Sequence, residues 1–165
     1  MNEYRTNDGT HNSVARFDEN RVTDPRQFQL DFWTKFKNKL EATGKIPTLQ
    51  TPQPHNWYDV RIGRSNILLN NVCNTQKNFV GVKLYIRKPA VDKYFPVLLG
   101  RMNEINTAPG CEPEWDANPA AQDKTIALFH KTDLSAPQKV EEALDWLVQQ
   151  TIIFYNVFSK EVKGI

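Results

Sequence analysis

The sequence predicts an α+β fold of two layers, with a mainly antiparallel sheet of about five strands and three helices in the order α-βββ-α-ββ-α. Three observations carry this expectation. Apolar residues recur at helical spacing near the start of the ordered chain and again at its C-terminal end. Between these stretches lie three runs with strand-like patterning, joined by short polar links. The third run, Phe79 to Arg87, alternates most clearly: Val80, Val82, Leu84 and Ile86 are apolar, whereas the odd positions include Phe79, Lys83, Tyr85 and Arg87. Side chains alternate across a strand, so one face packs on a core and the other offers rings and positive charge.

Taken in order, residues 1–22 are rich in Asn, Asp, Arg and Thr, with Val14, Phe17 and Val22 scattered among them. They read as a mobile or irregular arm ahead of one ordered domain over 23–165. Asp24 is a good N-cap, Pro25 suits the first helical position, and Gln27 falls where a capping-box partner belongs. Phe28, Phe32, Trp33, Phe36 and Leu40 then follow at helical spacing, and Gly44 stops the helix. Three prolines over 47–56 make that stretch an extended connection. Strands are expected at 57–62, 67–72 and 79–87, joined as a meander by the links 63–66 and 74–78.

A second helix is expected from Ala90 or Phe95 to Asn106, with Val91, Leu98, Met102 and Ile105 inward and Pro96 near its start. Pro109-Gly110 ends it. Two more strands fall at 114–116 and 125–130. The last helix is expected to be capped by Ser135, with Gln138 three residues on. Its inward stripe is Val140, Leu144, Leu147, Val148, Thr151, Tyr155, Phe158 and Val162.

The chain of 165 residues suits one domain, and its 21 cations against 19 anions leave a net charge of +2. That balance is too mild to imply nucleic acid by itself, so any electrostatic partner site has to be a local patch. Two cysteines, Cys73 and Cys111, make no disulfide framework. The opening residues have no apolar signal region and no run is long enough to span a membrane, so the expected location is cytoplasmic, with free thiols.

Several chemistries lack their residues. His11, His55 and His130 are far apart and near no cysteine pair, so a zinc site has no paired ligand spacing. There is no Gly-rich phosphate loop and no nucleophile elbow, and no cofactor is expected. A metal nuclease with a helix-and-three-strand opening needs a carboxylate two residues before the strand lysine, where Lys83 instead follows Gly81-Val82. Asp59 would then stand without a partner carboxylate, and Glu161-Val162-Lys163 has the right letters at a helix end. Cys73 with His130 reads as a buried thiol beside a separate imidazole rather than a nucleophile and its base. Trp33 and Trp146 lie near the apolar stripes of their helices, whereas Trp57 and Trp115 begin or flank strands.

Parity singles out one surface. Trp57, Asp59 and Arg61 share a face of the first strand, and Lys83, Tyr85 and Arg87 share a face of the third. If both strands face the same way, one surface carries Trp57, Arg61, Lys83, Tyr85 and Arg87, with Arg64 and Lys88 at its edges. Rings beside cations are the ingredients of single-strand DNA or flexible-RNA binding. A solvated face with cross-strand pairs involving Asp59 and Arg61 is the plainer alternative.

Phe32-Trp33, Asn56-Trp57, Leu84-Tyr85-Ile86, Glu104-Ile105 and Glu114-Trp115, in this order and spacing, together with the aromatic-rich last helix, give the chain a resemblance. It resembles a bacterial family, the domain of unknown function 4268, over roughly residues 27–160. The resemblance implies an α+β module found alone or C-terminal to nuclease-like domains, and so a genome-defence or DNA-processing context. It brings forward Glu104 and Trp115 as family-motif residues. The family pattern has an arginine before the isoleucine of the last strand, where this chain has Thr125 before Ile126. Glu104 has two readings: a metal or proton site, or an ion pair through Arg101 or a strand lysine.

The expected function is a non-enzymatic module that binds DNA or RNA through the basic-aromatic strand face. The alternative is a protein-interaction or homodimerisation module using the C-terminal helix, where Ile152, Ile153 and Phe154 widen the apolar arc. A third reading is a degenerate or divergent metal-dependent nuclease using Asp59 and Glu104.

Overall fold

A computed structural model describes residues 24–108, 112–116 and 118–165. The expected arm at 1–22, with His11, Pro109-Gly110 and Cys111, lies outside the described residues.

Helix α1 (Pro25–Thr43) begins where its cap dictates: Asp24 Oδ1 accepts from the Arg26 amide at 3.0 Å, and Pro25 occupies the first turn. It ends at Gly44, whose φ of 62° lets its amide turn back to the Glu41 carbonyl. Gln27 does not complete a capping box. Its Nε2 donates forward to Asp31 Oδ1 at 2.8 Å, one turn on along the exposed side. Residues 45–56 form no regular element, and side-chain bonds to their backbone hold them in place. Trp33 Nε1 donates to the His55 carbonyl at 2.7 Å and the Tyr58 hydroxyl to the Gln50 carbonyl at 2.7 Å.

Strands β1 (Trp57–Arg64), β2 (Ile67–Asn74) and β3 (Phe79–Ile86) form the expected meander. Asn66 and Asn78 take left-handed backbone in its two turns, a conformation asparagine tolerates because its short amide bonds locally. The register of β1 slips between Arg61 and Arg64, with Gly63 at φ 86° inside the bulge. After β3 come helix α2 (Lys88–Gly100), a short helix α3 (Met102–Ile105), strand β4 (Glu114–Trp115), strand β5 (Lys124–Lys131) and helix α4 (Pro137–Lys163). The sheet order is β1-β2-β3-β5-β4 with every pair antiparallel.

The expected second helix is two. Helix α2 starts at Lys88, where Pro89 fits the first turn, and it continues through Pro96 to a break at Arg101. Ser135 is not the cap of α4. Its hydroxyl donates to Asp133 Oδ1 at 2.6 Å in a local turn, and the helix begins after Ala136 with Pro137 in its first turn.

All the long helices lie on one side of the sheet. Helix α4 crosses β1, β2 and β3, and α1 packs against both α4 and β1, where Trp33 and Phe36 meet the Tyr58 ring at 5.7 and 5.5 Å. Arg101, at the end of α2, reaches Glu161 of α4 at 2.6 Å, which places α2 and α3 in the same layer. The core joins Phe32, Trp33 and Leu40 of α1 to Val60, Leu69, Val82, Leu84 and Ile126 of the sheet, and to Leu144, Leu147 and Phe158 of α4. Trp146 stacks on His130 at the core's edge. Phe154 is fully buried and belongs to this core, so the apolar arc of α4 is narrower outward than its sequence suggests. No helix among the described residues is long and apolar enough to cross a membrane.

A buried polar tie fixes α4 on the sheet. Thr151 Oγ1 donates to Asn71 Oδ1 at 2.7 Å, and Asn71 Nδ2 donates to the Tyr58 carbonyl at 3.2 Å, with Asn71 and Thr151 both fully buried. Thr151→Val keeps the shape but strands Asn71 Oδ1. The expected loss is about 1–3 kcal/mol, the cost of an unsatisfied buried acceptor. It is read as a lower urea midpoint with unchanged slope.

Candidate functional site

Because helices cover one face of the sheet, the opposite parity of every strand is turned the other way, and the register shows which residues meet there. One row runs Trp57, Val72, Gly81, Phe129. The next runs Asp59, Asn70, Lys83, Ala127, Glu114, and the third runs Arg61, Leu68, Tyr85, Thr125. The first and third strands therefore do face the same way, and Trp57, Arg61, Lys83 and Tyr85 share one surface. Three adjoining depressions cross it, all bordered by Leu68 and Arg87. The largest, about 440 Å³, lies beside Trp57 over Asp59, Asn70 and Lys83; the others extend past Arg61 to Arg64. Lys88 sits apart at the start of α2 and contributes its backbone amide.

The aromatic groups are held at both sides of the first row. Trp57 is 44% exposed and stacks on His55 at 4.3 Å. Phe129, 42% exposed, meets Phe79 edge-on at 5.5 Å and lies across Gly81. A Cβ at Gly81 would fall 2.9 Å from Phe129 Cε1 and nearer still to Cδ1, so glycine here makes room for the ring. Three strand spacings, about 14 Å, separate the backbones carrying Trp57 and Phe129.

Polar contacts order the floor. Asn70 Nδ2 donates to Asp59 Oδ1 at 2.6 Å. The Tyr85 hydroxyl donates to Asp123 Oδ2, and Asp123 Oδ1 accepts from the Lys88 amide at 2.8 Å. One carboxylate thus fixes Tyr85 and receives the first amide of α2, where a negative charge favours the helix dipole. The bond from Tyr85, then that from the Lys88 amide, hold Asp123 below the usual carboxylate range, while the same carboxylate raises the Tyr85 phenol. Burial lowers the Lys83 ammonium, with Asp59 pulling weakly the other way. Lys83 closes no ion pair among the described residues.

Other candidates fall elsewhere. Trp115 lies on the helix side of the sheet, where its Nε1 donates to Asn106 Oδ1 at 2.7 Å and joins β4 to the turn after α3. Glu104 pairs with Arg101 at 3.1 Å, and the same guanidinium reaches Glu161. Arg101 thus ties α3 to α4, and Asp59 and Glu104 are on opposite sides of the sheet. Among the described residues no three His, Cys, Asp or Glu side chains are grouped to hold a metal ion. The Cys73 thiol, fully buried on the core side, is pushed up to about 12 by that burial.

The sequence reading missed Asn70, Asp123 and Phe129. Asn70 shares the parity of Leu68 and Val72 in β2, a usable signal. Phe129 joins the surface only through the pairing of β5 with β3 across the α2–α3–β4 excursion, and Asp123 through a turn before β5. Neither has a local signature.

Residues 28–162 match the family described as Domain of unknown function (DUF4268), and the chain belongs to this family. No curated protein and no solved structure matches it.

The lowered Lys83 gives a signed pH test. Its folded value lies below the unfolded 10.5, so the unfolded chain binds more protons between the two, and stability rises with pH across that window. Lys83→Met is expected to be more stable than the parent at pH 7, with the advantage shrinking as pH approaches the unfolded value. Urea midpoints at pH 7 and pH 10 check both the sign and the trend.

Proposed function

We propose that this chain is a non-enzymatic nucleic-acid-binding module whose contact surface is the open face of the sheet. In that role it serves as an accessory to bacterial DNA-processing or genome-defence machinery. One observation carries the reading: Arg61, Arg64, Lys83 and Arg87 converge with Trp57 and Tyr85 on one concave surface, while the long helices occupy the other side. Guanidinium groups meet phosphates and exposed rings stack on bases.

The surface favours single strands. Exposed rings gain nothing from a duplex whose bases already stack on one another, whereas an unpaired strand offers base faces and phosphates together. Asp59 and Asp123 moderate the positive charge, so affinity rests on stacking as well as on counterion release.

Fluorescence anisotropy with labelled single-stranded DNA, duplex DNA and RNA, at low and near-physiological salt, tests this. The expected result is micromolar or tighter binding that weakens with salt and is tighter for single strands. Lys83→Ala/Arg87→Ala is expected to lower affinity at least tenfold, on the order of 1.4 kcal/mol, and to reduce the salt slope by about one per lost phosphate contact. Absence of binding at low salt, or an unchanged affinity and slope in the double variant, overturns the proposal.

A further inference from the structure

We propose that the depression beside Trp57 is a pocket for one unstacked guanine of a single strand, read by Asp59, Asn70 and Lys83. This deepens the open-face reading and rests on it. The face is not chemically uniform. Beside Trp57, the depression sets the carboxylates Asp59 and Asp123 against Lys83 and Arg87, over an apolar floor of Leu68 and Val72. Past Arg61, the two adjoining depressions gather Arg61, Arg64 and Arg87, with Asp59 only at the border of one. A bare polyanion suits the second region, whereas in the first the two carboxylates offset the two cations. A nucleotide in a strand suits both, with its phosphate among the arginines and its base beside Trp57.

The order of groups selects the base. Asp59, Asn70 and Lys83 stand in one row on three adjacent strands, facing the same way. Asn70 Nδ2 donates to Asp59 Oδ1 at 2.6 Å, which orients the carboxylate and leaves Oδ2, with a second lone pair on Oδ1, to accept from two further donors. Lys83 supplies a donor two strands away. The row therefore offers acceptor before donor. Guanine presents the complement along its pairing edge: two adjacent donors, N2–H and N1–H, and then the O6 acceptor. Adenine and cytosine each set a single exocyclic amine beside an acceptor, and thymine flanks one donor with two acceptors. In each of these, a carboxylate placed for two donors faces a lone pair, and an unmatched buried polar group is costly. Trp57, held by His55, supplies the stacking surface.

The test measures the full chain, by competition anisotropy, against short thymine strands carrying one central guanine, adenine, cytosine or hypoxanthine, with uracil strands as the ribose counterpart. Guanine in either background is expected to bind about tenfold tighter than adenine or cytosine, in line with a bidentate contact. Hypoxanthine, which lacks the N2 amine, falls between. Asp59→Asn is expected to erase the guanine preference. The hypoxanthine comparison needs no variant, so a poorly folded Asp59→Asn does not blunt the test. Salt-sensitive binding with equal affinity for all central bases overturns this inference and leaves the open-face reading standing. Hypoxanthine matching guanine, or a preference that survives Asp59→Asn in folded protein, overturns the role given to Asp59. No binding to any strand overturns both readings.

Discussion

Helix α4 lies across β1, β2 and β3 and takes from each strand the residues of one parity. Val60, Leu69, Val82 and Leu84 disappear beneath it, and the buried bond from Thr151 to Asn71 sets where along the sheet it rests. Side chains alternate along a regular strand, and β1 keeps that alternation up to its bulge after Arg61, so this choice dictates the other face as well. A slip of one residue in any strand would bury Asp59, Asn70 or Lys83 and expose an aliphatic row. The apolar contact that stabilises the fold and the polar surface that defines the candidate site are two sides of one constraint.

The parts of the fold legible in the sequence were those set by local chemistry. Asp24, Pro25 and Gly44 bound α1 through backbone effects confined to a few residues, and the alternation in β3 announced its two faces. What escaped notice depended on distant partners. Ser135 looked like a cap until Asp133 engaged its hydroxyl, and Phe154 looked outward because the width of the stripe that the sheet covers is a tertiary fact. For the site, parity sufficed for Trp57, Arg61, Lys83 and Tyr85. Phe129 and Asp123 needed the β3–β5 pairing, which a helical excursion hides from the sequence.

Lys83 carries a local cost on the open face. It sits on the central strand of the sheet, between Asn70 and Ala127, where a β-branched aliphatic residue would pack without penalty. Burial instead disfavours its charge, and Asp59, whose Oδ1 is engaged by Asn70, compensates only partly. The proposed binding role would account for that cost, since a bound strand would supply the missing acceptor. Gly81 carries a cost too. Glycine weakens a central strand, yet here it lets the Phe129 ring lie across it and stay exposed.

These local costs fall in adjacent rows, and both lie between Trp57 and Phe129. A face selected only for solubility would place Lys or Glu at such positions with their head groups free in water, and would bury or replace the exposed rings. Here the cation borders a depression lined also by Trp57 and Tyr85, and Asp123 locks Tyr85 against the start of α2. Preorganisation of this kind lowers the entropy lost when a ligand binds, because its groups are already held in position. The same rigidity limits what fits. A carboxylate oriented by Asn70 and a phenol held by Asp123 have little freedom to adjust to a poorly matched partner.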